Sequence, residues 1–375
     1  MLERKKVLIL CESMGGGVRR HLMDILDNIN LNKYHVLIIY GGNRVDGIFS
    51  SMKDEYKTKG IDFCVINELQ RELNPIKDFK SILKITGIIK QFNPDIIHCH
   101  SSKGGGLGRI AGVVCGVNSI IYTPHGYSIQ APYLGKLKKN IYLYLEKLLS
   151  KVTSLTINVS QGERKIGVDA GITKKEKTKV IYNGIQEDSV DRKKESSSPI
   201  IVGTVARFDP SKDPYTFYNI ALGLIEKHSN IEFWYIGDGD STKSEIEHLL
   251  NNRSLQDKIK LFGFKEDIYP YLSSFDIYIS TSLHEGLPYS IVEAMSLKLP
   301  IVGTNVTGNN ELIINKYNGM LFEKRNVEEA IEELERLILN ENTRKEYGEN
   351  SYKWYKKDFT IEKMITSIEQ VYDEF

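Results

Sequence analysis

Short apolar runs recur along this chain, separated by turn residues and by longer amphipathic stretches. In the first half, the runs that predict β-strands are Lys5–Cys11, Tyr34–Tyr40, Asp62–Ile66, Asp95–Cys99, Ser119–Tyr122, Ser154–Val159 and Lys179–Ile181. In the second half they are Ile200–Ala206, Ile231–Ile236, Ile259–Gly263, Phe275–Ser280, Leu299–Gly303 and Met320–Phe322. Helical patterns such as Lys77–Gln91 and Leu134–Lys151 lie between the strands. This alternation predicts an α/β fold whose parallel sheets carry helices on both faces.

The length and one polar segment predict how the chain divides. A chain of 375 residues is too long for one ordinary core and fits two domains. Residues 186–198 are charged and rich in serine, which is typical of a linker. We therefore expect a first domain at 1–185, a linker at 186–198 and a second domain at 199–355. The helix at 356–375 is expected to pack back toward the first domain.

Charge is divided unevenly between the two halves. Residues 1–185 contain 28 Lys+Arg and 16 Asp+Glu, a net charge of +12, whereas residues 186–375 contain 22 and 33, a net charge of −11. The split suggests different partners for the two domains. Within the first half, the stretch from Ile96 to Leu145 has no acidic residue. That stretch predicts a basic surface for phosphate or anionic lipid, formed by Lys103, Arg109, Lys136, Lys138 and Lys139.

Composition points to a soluble protein of the cytoplasm. The chain is 41% hydrophobic and 26% charged, and no apolar run is long enough to span a bilayer. Glu12 interrupts the only apolar run near the start, so we expect no secretory signal. The four cysteines are scattered without a Cys-x-x-Cys motif, which favours reduced thiols.

The most informative segment runs from Glu285 to Glu293. A buried strand precedes it and a short helix, Ser290–Leu297, follows, so backbone N–H groups and the positive end of the helix dipole face the space beyond the strand. Ser290 and Glu293 also fit a capping box, in which Glu293 would only satisfy the start of its own helix. The segment alone leaves function and cap equally open.

Other strand ends carry further candidate chemistry. Gly15–Gly17 follow the first strand and would let backbone approach a ligand at a helix start. Arg207 and Lys212 lie five positions apart after a strand, which suits a clamp on a diphosphate. His125 lies between a proline and a glycine at a strand end, which favours contact with a ligand. His98-x-His100 suggests a metal, but no third ligand has suitable spacing, so no metal is expected.

Several ordered motifs together resemble one known family. They are Val205-Ala-Arg207…Lys212, Tyr235-Ile-Gly237-Asp-Gly239, Phe262-Gly263-Phe-Lys-Glu-Asp267, Glu285-Gly-x-Pro-x4-Glu293-Ala and Asn318-Gly319, with Gly15–Gly17, His125-Gly126 and Asn183-Gly184 in the first half. The combination resembles the retaining glycosyltransferases of family 4, of the type that builds bacterial surface polysaccharide or glycolipid. The resemblance implies two Rossmann-like domains facing across a cleft, the GT-B arrangement. One departure is Thr307-Gly308, where family members often have Gly-Gly.

The resemblance implies roles at the matching positions. Arg207 and Lys212 would bind the diphosphate of a nucleotide sugar, Glu293 the ribose, and Glu285 the transferred sugar together with Gly286, Leu287 and Pro288. Main chain around Phe264–Glu266 would meet the base. From the first domain, His125 would touch the sugar and Gly15–Gly17 would close on the phosphates. A uridine-linked donor is favoured, and the acceptor would be a glycan or a lipid-linked glycan.

The expected chemistry needs neither a metal nor a cofactor. Fixed cations and a helix start stabilise the departing phosphate. Retention usually uses a carboxylate nucleophile, and the sequence offers no clear one, so we favour same-face attack assisted by the departing phosphate. No nucleic-acid partner is expected.

Four alternatives compete with this interpretation. Gly106-x-Gly108-x-x-Ala111 fits a dinucleotide fingerprint, but the acidic residue expected about twenty positions later is missing, which excludes a nicotinamide oxidoreductase. Asp238-x-Asp240 would suit a divalent metal, although a glycine turn is the simpler explanation. A nucleotide-sugar epimerase and a catalytically idle nucleotide-sugar-binding subunit share the fold and stay open.

The helical pattern after Tyr133 suggests where the protein works. It places Leu134, Leu137, Ile141, Tyr144 and Leu148 on one stripe, with Lys136, Lys138, Lys139, Lys147 and Lys151 on the flanks and far side. The stripe alone favours packing on the protein's own sheet. So many lysines favour an anionic membrane, so we expect a cytoplasmic enzyme bound peripherally to the inner face of the cell membrane.

Overall fold

A computed structural model describes residues 3–130, 134–187, 199–239 and 241–375. The chain forms two units, Met1–Asn183 with Ile361–Phe375, and Gly184–Thr360. The crossing at Asn183–Gly184 falls close to the domain end predicted at residue 185. Residues 188–198 of the predicted linker lie outside the described part of the chain.

The described strands and helices alternate as the apolar pattern predicts. The strands are β1 Lys5–Cys11, β2 Tyr34–Gly41, β3 Asp62–Ile66, β4 Ile96–His100, β5 Ser119–Thr123, β6 Leu155–Asn158, β7 Thr178–Val180, β8 Ile200–Val205, β9 Ile231–Ile236, β10 Ile259–Leu261, β11 Ile277–Ser280, β12 Ile301–Thr304 and β13 Gly319–Phe322. The helices are α1 Gly16–Asn28, α2 Gly47–Thr58, α3 Pro75–Phe92, α4 Ser102–Val114, α5 Lys136–Ser150, α6 Gln161–Asp169, α7 Pro214–Ile225, α8 Ser241–Arg253, α9 Tyr269–Leu272, α10 Tyr289–Ser296, α11 Asn309–Leu312, α12 Val327–Leu339, α13 Glu341–Asp358 and α14 Ile361–Glu374. Short 3₁₀ turns occur at Ser128–Gln130 and Lys175–Lys177.

Both sheets are parallel and have the strand order of a Rossmann fold. The first sheet runs β3-β2-β1-β4-β5-β6-β7, and the second runs β10-β9-β8-β11-β12-β13. The order reverses between β1 and β4 in the first sheet and between β8 and β11 in the second. Ligands of such sheets bind outside the carboxyl ends of the strands at this switch point. The predicted α/β class with two Rossmann-like domains is therefore confirmed.

The first sheet is buried on both faces, which explains why its strands are uninterrupted apolar runs. Along β1, Val7, Ile9 and Cys11 point into one core while Leu8 and Leu10 point into the other, and all five are fully buried. The second sheet has its own core, formed by residues such as Val202, Phe233 and Ile279.

The last helix belongs to the first unit. Its residues Ile365, Ile368 and Tyr372 pack in the core that holds β1, and Lys5 Nζ donates to the carbonyl of Tyr372 at 2.9 Å. The segment predicted at 356–375 begins five residues before α14, and its first three residues finish α13 in the second unit. An apolar face spaced for a helix, with Ile361 and Met364 also buried, explains why α14 completes that core.

Candidate active site

Three loops follow neighbouring strands at the switch point of the second sheet. They connect β8 to α7, β11 to α10 and β12 to α11, and they contain the predicted residues Arg207, Lys212 and Glu285. Hydrogen bonds join the first two loops: Leu283 N–H donates to the Ser211 carbonyl at 2.8 Å, and the Thr281 hydroxyl donates to the Lys212 carbonyl at 2.8 Å. The sheet order therefore brings these predicted donor residues to one edge.

Lys212 and Glu285 form an ion pair at this edge. Lys212 Nζ contacts Glu285 Oε1, and the same oxygen accepts a hydrogen bond from the Ser282 hydroxyl at 2.7 Å. The side chains are only 21% and 12% exposed, respectively. The cation and the carboxylate that the sequence assigned to diphosphate and sugar thus hold each other in position.

Arg207 is paired with an acid in its own loop. Its guanidinium lies 2.7 Å from Asp209 Oδ2, while the Arg207 side chain remains 69% exposed. Burial raises the pKa of Asp209, but hydrogen bonds from Ser211 and the charge of Arg207 outweigh it and hold that pKa below its usual range. Each predicted diphosphate-binding cation therefore has an anionic neighbour that a diphosphate would have to share or displace.

The capping-box hypothesis for Glu293 is wrong. Helix α10 begins at Tyr289 with Pro288 as its N-cap, and no side chain caps it. Pro288 holds its φ at −72° and starts the helix one residue earlier than predicted, so Ser290 lies inside the first turn instead of at the cap position. Glu293 is buried. Its role toward a ribose stays a prediction.

The loop after β12 rests on the loop that carries Glu285. Gly308 has φ +85°, and a Cβ there would lie 2.7 Å from the Gly286 carbonyl oxygen and 3.1 Å from Glu285 Cβ. Only glycine fits that conformation and that contact without strain. Thr307, where the family often has glycine, has no positive φ. The departure from Gly-Gly therefore falls on the position that does not require glycine.

One candidate residue at this edge was missed by the sequence analysis. His284 lies directly before Glu285, and its Nδ1 is buried with no hydrogen-bond partner among the described residues. Burial lowers the pKa of His284 below its usual range. Adjacency to Glu285 was the signal in the sequence that could have identified it.

The remaining predicted donor residues lie in loops at the same ends of the strands. Leu287 is buried, Gly286 is half-buried, and Phe264 is 63% exposed beyond β10, near the exposed Glu266. Gly237 N–H donates to the Gly263 carbonyl at 2.9 Å and so connects the loops after β9 and β10. Contact of this main chain with a base stays a prediction.

The alternative metal site at Asp238 finds no support from its surroundings. Asp238 Oδ1 lies 3.0 Å from Lys243 Nζ and accepts from Gly239 N–H at 2.9 Å. The hydrogen bond from Lys243 lowers the pKa of Asp238. Asp240 lies outside the described residues.

The glycine loop of the first unit forms the start of a helix. Helix α1 begins at Gly16, with Gly15 as N-cap, and no acidic residue lies in its first turn. Gly16 has φ +61°, and a Cβ on Gly16 or Gly17 would meet nothing within 4 Å. The space beside Gly16 and Gly17 is therefore open, and the N–H groups at a helix start are suited to binding an anion.

Histidines cluster beside this loop. His100 Nδ1 lies 3.0 Å from His125 Nε2, and the ring of His21 meets that of His125 edge-on with centroids 4.7 Å apart. His125 has φ +54°, and the next residue, Gly126, donates its N–H to Glu163. The rings of His21 and His100 also lie close, with centroids 5.7 Å apart; His21 comes from α1, far away in sequence, so spacing along the chain does not indicate this approach.

Burial keeps these histidines neutral near pH 7. It lowers the pKa of His21 to about 4 and that of His98 to about 3, and it holds the pKa values of His100 and His125 well below their usual range. His98 bonds Tyr372 and Thr123, each at 2.8 Å.

Two residues of the predicted basic surface are buried, and that part of the prediction is wrong. Arg109 is 1% exposed, pairs with Glu146 at 2.8 Å and lies 3.9 Å above the Tyr122 ring. Lys103 pairs with Asp78 at 2.5 Å. Both acids lie outside the acid-free stretch that suggested a surface, and folding brings them to it. Gly106, Gly108 and Ala111 lie within helix α4. They therefore do not form the turn between a strand and a helix that a dinucleotide fingerprint requires.

Helix α5 exposes its apolar stripe. Leu137 is 76% exposed, Ile141 44%, Tyr144 64% and Leu148 41%. The expectation that this stripe packs on its own sheet is therefore wrong. Lys136 and Lys138 are exposed and Lys139 is half-buried, whereas Tyr133 lies outside the described residues. None of the helices in the described ranges is long and apolar enough to cross a membrane.

Comparisons with known proteins agree with this architecture. Residues 15–189 match the family described as Glycosyltransferase Family 4, and residues 186–354 match Glycosyl transferases group 1. The UDP-Gal:alpha-D-GlcNAc-diphosphoundecaprenol alpha-1,3-galactosyltransferase of Escherichia coli is 28% identical over 85% of each chain. The capsular polysaccharide biosynthesis glycosyltransferase CapM of Staphylococcus aureus is 23% identical over 95% of this chain and 96% of its own. The crystal structure of Anabaena HepE in complex with UDP and glucose superposes with a TM-score of 0.82 over the full length of both chains, at 19% identity.

Proposed function

We propose that this chain is a glycosyltransferase of the GT-B fold that transfers a hexosyl or N-acetylhexosaminyl group from a UDP-sugar to a glycan or lipid-linked acceptor. The match of its first half to Glycosyltransferase Family 4 and of its second half to Glycosyl transferases group 1 supports this proposal. The observation that carries the proposal is the Lys212–Glu285 pair at the switch point of the second sheet. A cation for phosphate beside a carboxylate for sugar hydroxyls is the arrangement that a nucleotide sugar requires.

In this proposal the donor lies along the loops of the second unit. Arg207 and Lys212 bind the diphosphate, Glu293 the ribose, Glu285 the sugar, and main chain near Phe264 the base. In the first unit, the resemblance assigns the glycine loop to the phosphates and His125 to the sugar. His125 is neutral near pH 7, so it donates a hydrogen bond without adding a positive charge beside the developing cation of the sugar ring.

The transfer retains the configuration of the sugar and uses no metal. The bond from the anomeric carbon to the phosphate oxygen breaks, the acceptor oxygen bonds to the same face, and its proton passes to the departing phosphate. Two observations support a route without a protein nucleophile: Glu285 is paired with Lys212, and Asp209 with Arg207. The cations stabilise the charge that develops on the phosphate.

The donor is tested by incubating the purified protein with radiolabelled UDP-, GDP- and ADP-sugars and following slow hydrolysis. A preference for one UDP-sugar supports the proposal, whereas equal turnover of guanosine- and uridine-linked donors would refute the choice of nucleotide. Interconversion of the sugar without hydrolysis or transfer would indicate an epimerase. Binding without either reaction would indicate an idle subunit.

The acceptor proposal follows from the exposed face of α5. We infer that this helix rests on an anionic bilayer on the cytoplasmic side, where a lipid-linked acceptor would be presented for surface-polysaccharide synthesis. Leu137 and Tyr144 would enter the interface, and Lys136 and Lys138 would meet lipid headgroups. A relative named for a diphosphoundecaprenol acceptor supports a lipid-linked substrate.

Sedimentation with vesicles tests this inference. Each lysine near an anionic surface contributes about 1 kcal/mol, so changing Lys136, Lys138 and Lys139 to Gln should weaken binding to anionic vesicles on the order of 100-fold at low salt. The matched control changes Lys324, Lys345 and Lys357, exposed lysines of the second unit, to Gln and removes the same charge. Equal weakening in both variants, or no binding of the unmodified protein to anionic vesicles, would exclude a membrane role for α5.

A further inference from the structure

Three histidines from separate elements meet at the carboxyl edge of the first sheet. His21 comes from the second turn of α1, His100 ends β4, and His125 follows β5. One ring nitrogen from each lies within 4.8 Å of the other two. His21 and His100 are buried, and His125 is half-buried. The three rings therefore converge on one point.

The spacing suits a small transition-metal ion. Zinc binds imidazole nitrogen at about 2.0–2.1 Å, so two ligands of a tetrahedral site lie roughly 3.3 Å apart. His100 Nδ1 and His125 Nε2 are already 3.0 Å apart. The ligand set is all nitrogen, which favours Zn²⁺, Co²⁺, Ni²⁺ or Cu²⁺ over Mg²⁺ or Ca²⁺.

The surroundings also resemble those of a ligating set. His21 Nδ1 lies 3.1 Å from Asn183 Oδ1, the kind of second contact that orients a metal-bound imidazole. His100 Nε2 is buried and has no hydrogen-bond partner in the described part of the chain. His98 differs, because Tyr372 and Thr123 occupy both of its nitrogens. The centroids of the His98 and His100 rings lie 4.0 Å apart, so His98 packs against His100 without being a candidate ligand.

We propose that His21, His100 and His125 bind one divalent transition-metal ion of the zinc type, with a fourth coordination position left to solvent or a small ligand. Binding of the ion does not depend on the proposed function. One consequence does: the ion would engage the imidazole of His125 assigned to the sugar. Added Zn²⁺ should therefore compete with the donor, whereas a chelator should not slow transfer.

Cobalt titration of the metal-free full-length protein tests the site. One equivalent of Co²⁺ should produce the intense visible absorption of a four-coordinate ion, and Zn²⁺ should displace it. His21→Ala should weaken Co²⁺ binding by more than about 10-fold, since loss of a ligand exceeds loss of an outer contact. The control variant His228→Ala removes a histidine that pairs with Glu335 at 2.8 Å in the second unit, and it should bind Co²⁺ as the unmodified protein does.

The unmodified protein decides the question even where a buried variant fails to fold. Excess Zn²⁺ over its dissociation constant should raise Tm, because the three imidazoles converge only in the folded state. A six-coordinate Co²⁺ spectrum without a Zn²⁺-dependent rise in Tm would overturn the proposal. So would equal Co²⁺ affinity in a folded His21→Ala variant.

Discussion

Glu285→Gln separates the role of this carboxylate toward the sugar from its role in stability. The substitution keeps the size of the side chain and removes its charge. A charge-assisted hydrogen bond from this carboxylate to a sugar hydroxyl contributes about 1.5–3 kcal/mol, and about 1.4 kcal/mol corresponds to tenfold in rate. We therefore expect kcat/KM for transfer to fall by about 10- to 150-fold.

The affinity of the Glu285→Gln variant for UDP should not fall. Glu285 Oε1 contacts Lys212 Nζ, so its negative charge lies beside the cation assigned to the diphosphate. Without that charge, Lys212 loses the carboxylate that it contacts, and calorimetry should find UDP binding unchanged or tighter. Transfer and UDP binding would then move apart, which a general loss of structure does not produce.

A second Lys–Glu pair in the same unit provides the control. Glu232 lies 2.8 Å from Lys260 and also accepts from Trp234 Nε1 at 2.8 Å, in a partly buried setting like that of Glu285. Glu232→Gln should cause a similar small change in Tm and leave transfer intact. The reasoning about Glu285 fails if UDP affinity falls in parallel with transfer, or if both variants lose transfer equally.

Five further predictions address other parts of the protein. Arg207→Ala should abolish most transfer with unchanged Tm, because the side chain is 69% exposed; a large fall in Tm would contradict this. Glu293→Ala should weaken UDP binding measured by calorimetry, and full UDP affinity would argue against contact with the ribose. Gly308→Ala should lower stability by more than about 1 kcal/mol in denaturant unfolding, since its φ is +85°. Gly87→Ala in the interior of α3, where a Cβ meets nothing within 4 Å, should stabilise by about 0.5–1 kcal/mol. Transfer should persist in EDTA, and full loss restored by Mn²⁺ would show that the reaction needs a metal.

Local sequence was sufficient to predict most of the secondary structure and the loops that carry the donor residues. The strands β1, β3 and β9 have the bounds that the apolar pattern predicts. A strand buried on both faces must be apolar throughout, so its signal lies within a few neighbouring residues. Ligands of parallel sheets bind at the carboxyl ends of the strands, so the sequence also indicated the loops that contain Arg207 and Glu285.

The start of α10 shows how little is needed to overturn a local motif. Ser290 and Glu293 have the spacing of a capping box, yet Pro288 is the N-cap and α10 begins at Tyr289. Which residue becomes the cap depends on the path of the loop, and this loop contacts the β8–α7 and β12–α11 loops.

Only the tertiary structure decided which charges and imidazoles meet. Arg109 belongs to an acid-free stretch, but folding buries it against Glu146, and Lys103 finds Asp78 from another helix. His21 joins His100 and His125 because strand order places α1 beside β4 and β5. A buried charged side chain needs a partner of opposite charge, and the sequence shows the candidates without their pairing. The pairing is set by the order of strands in the sheet, which joins segments far apart along the chain.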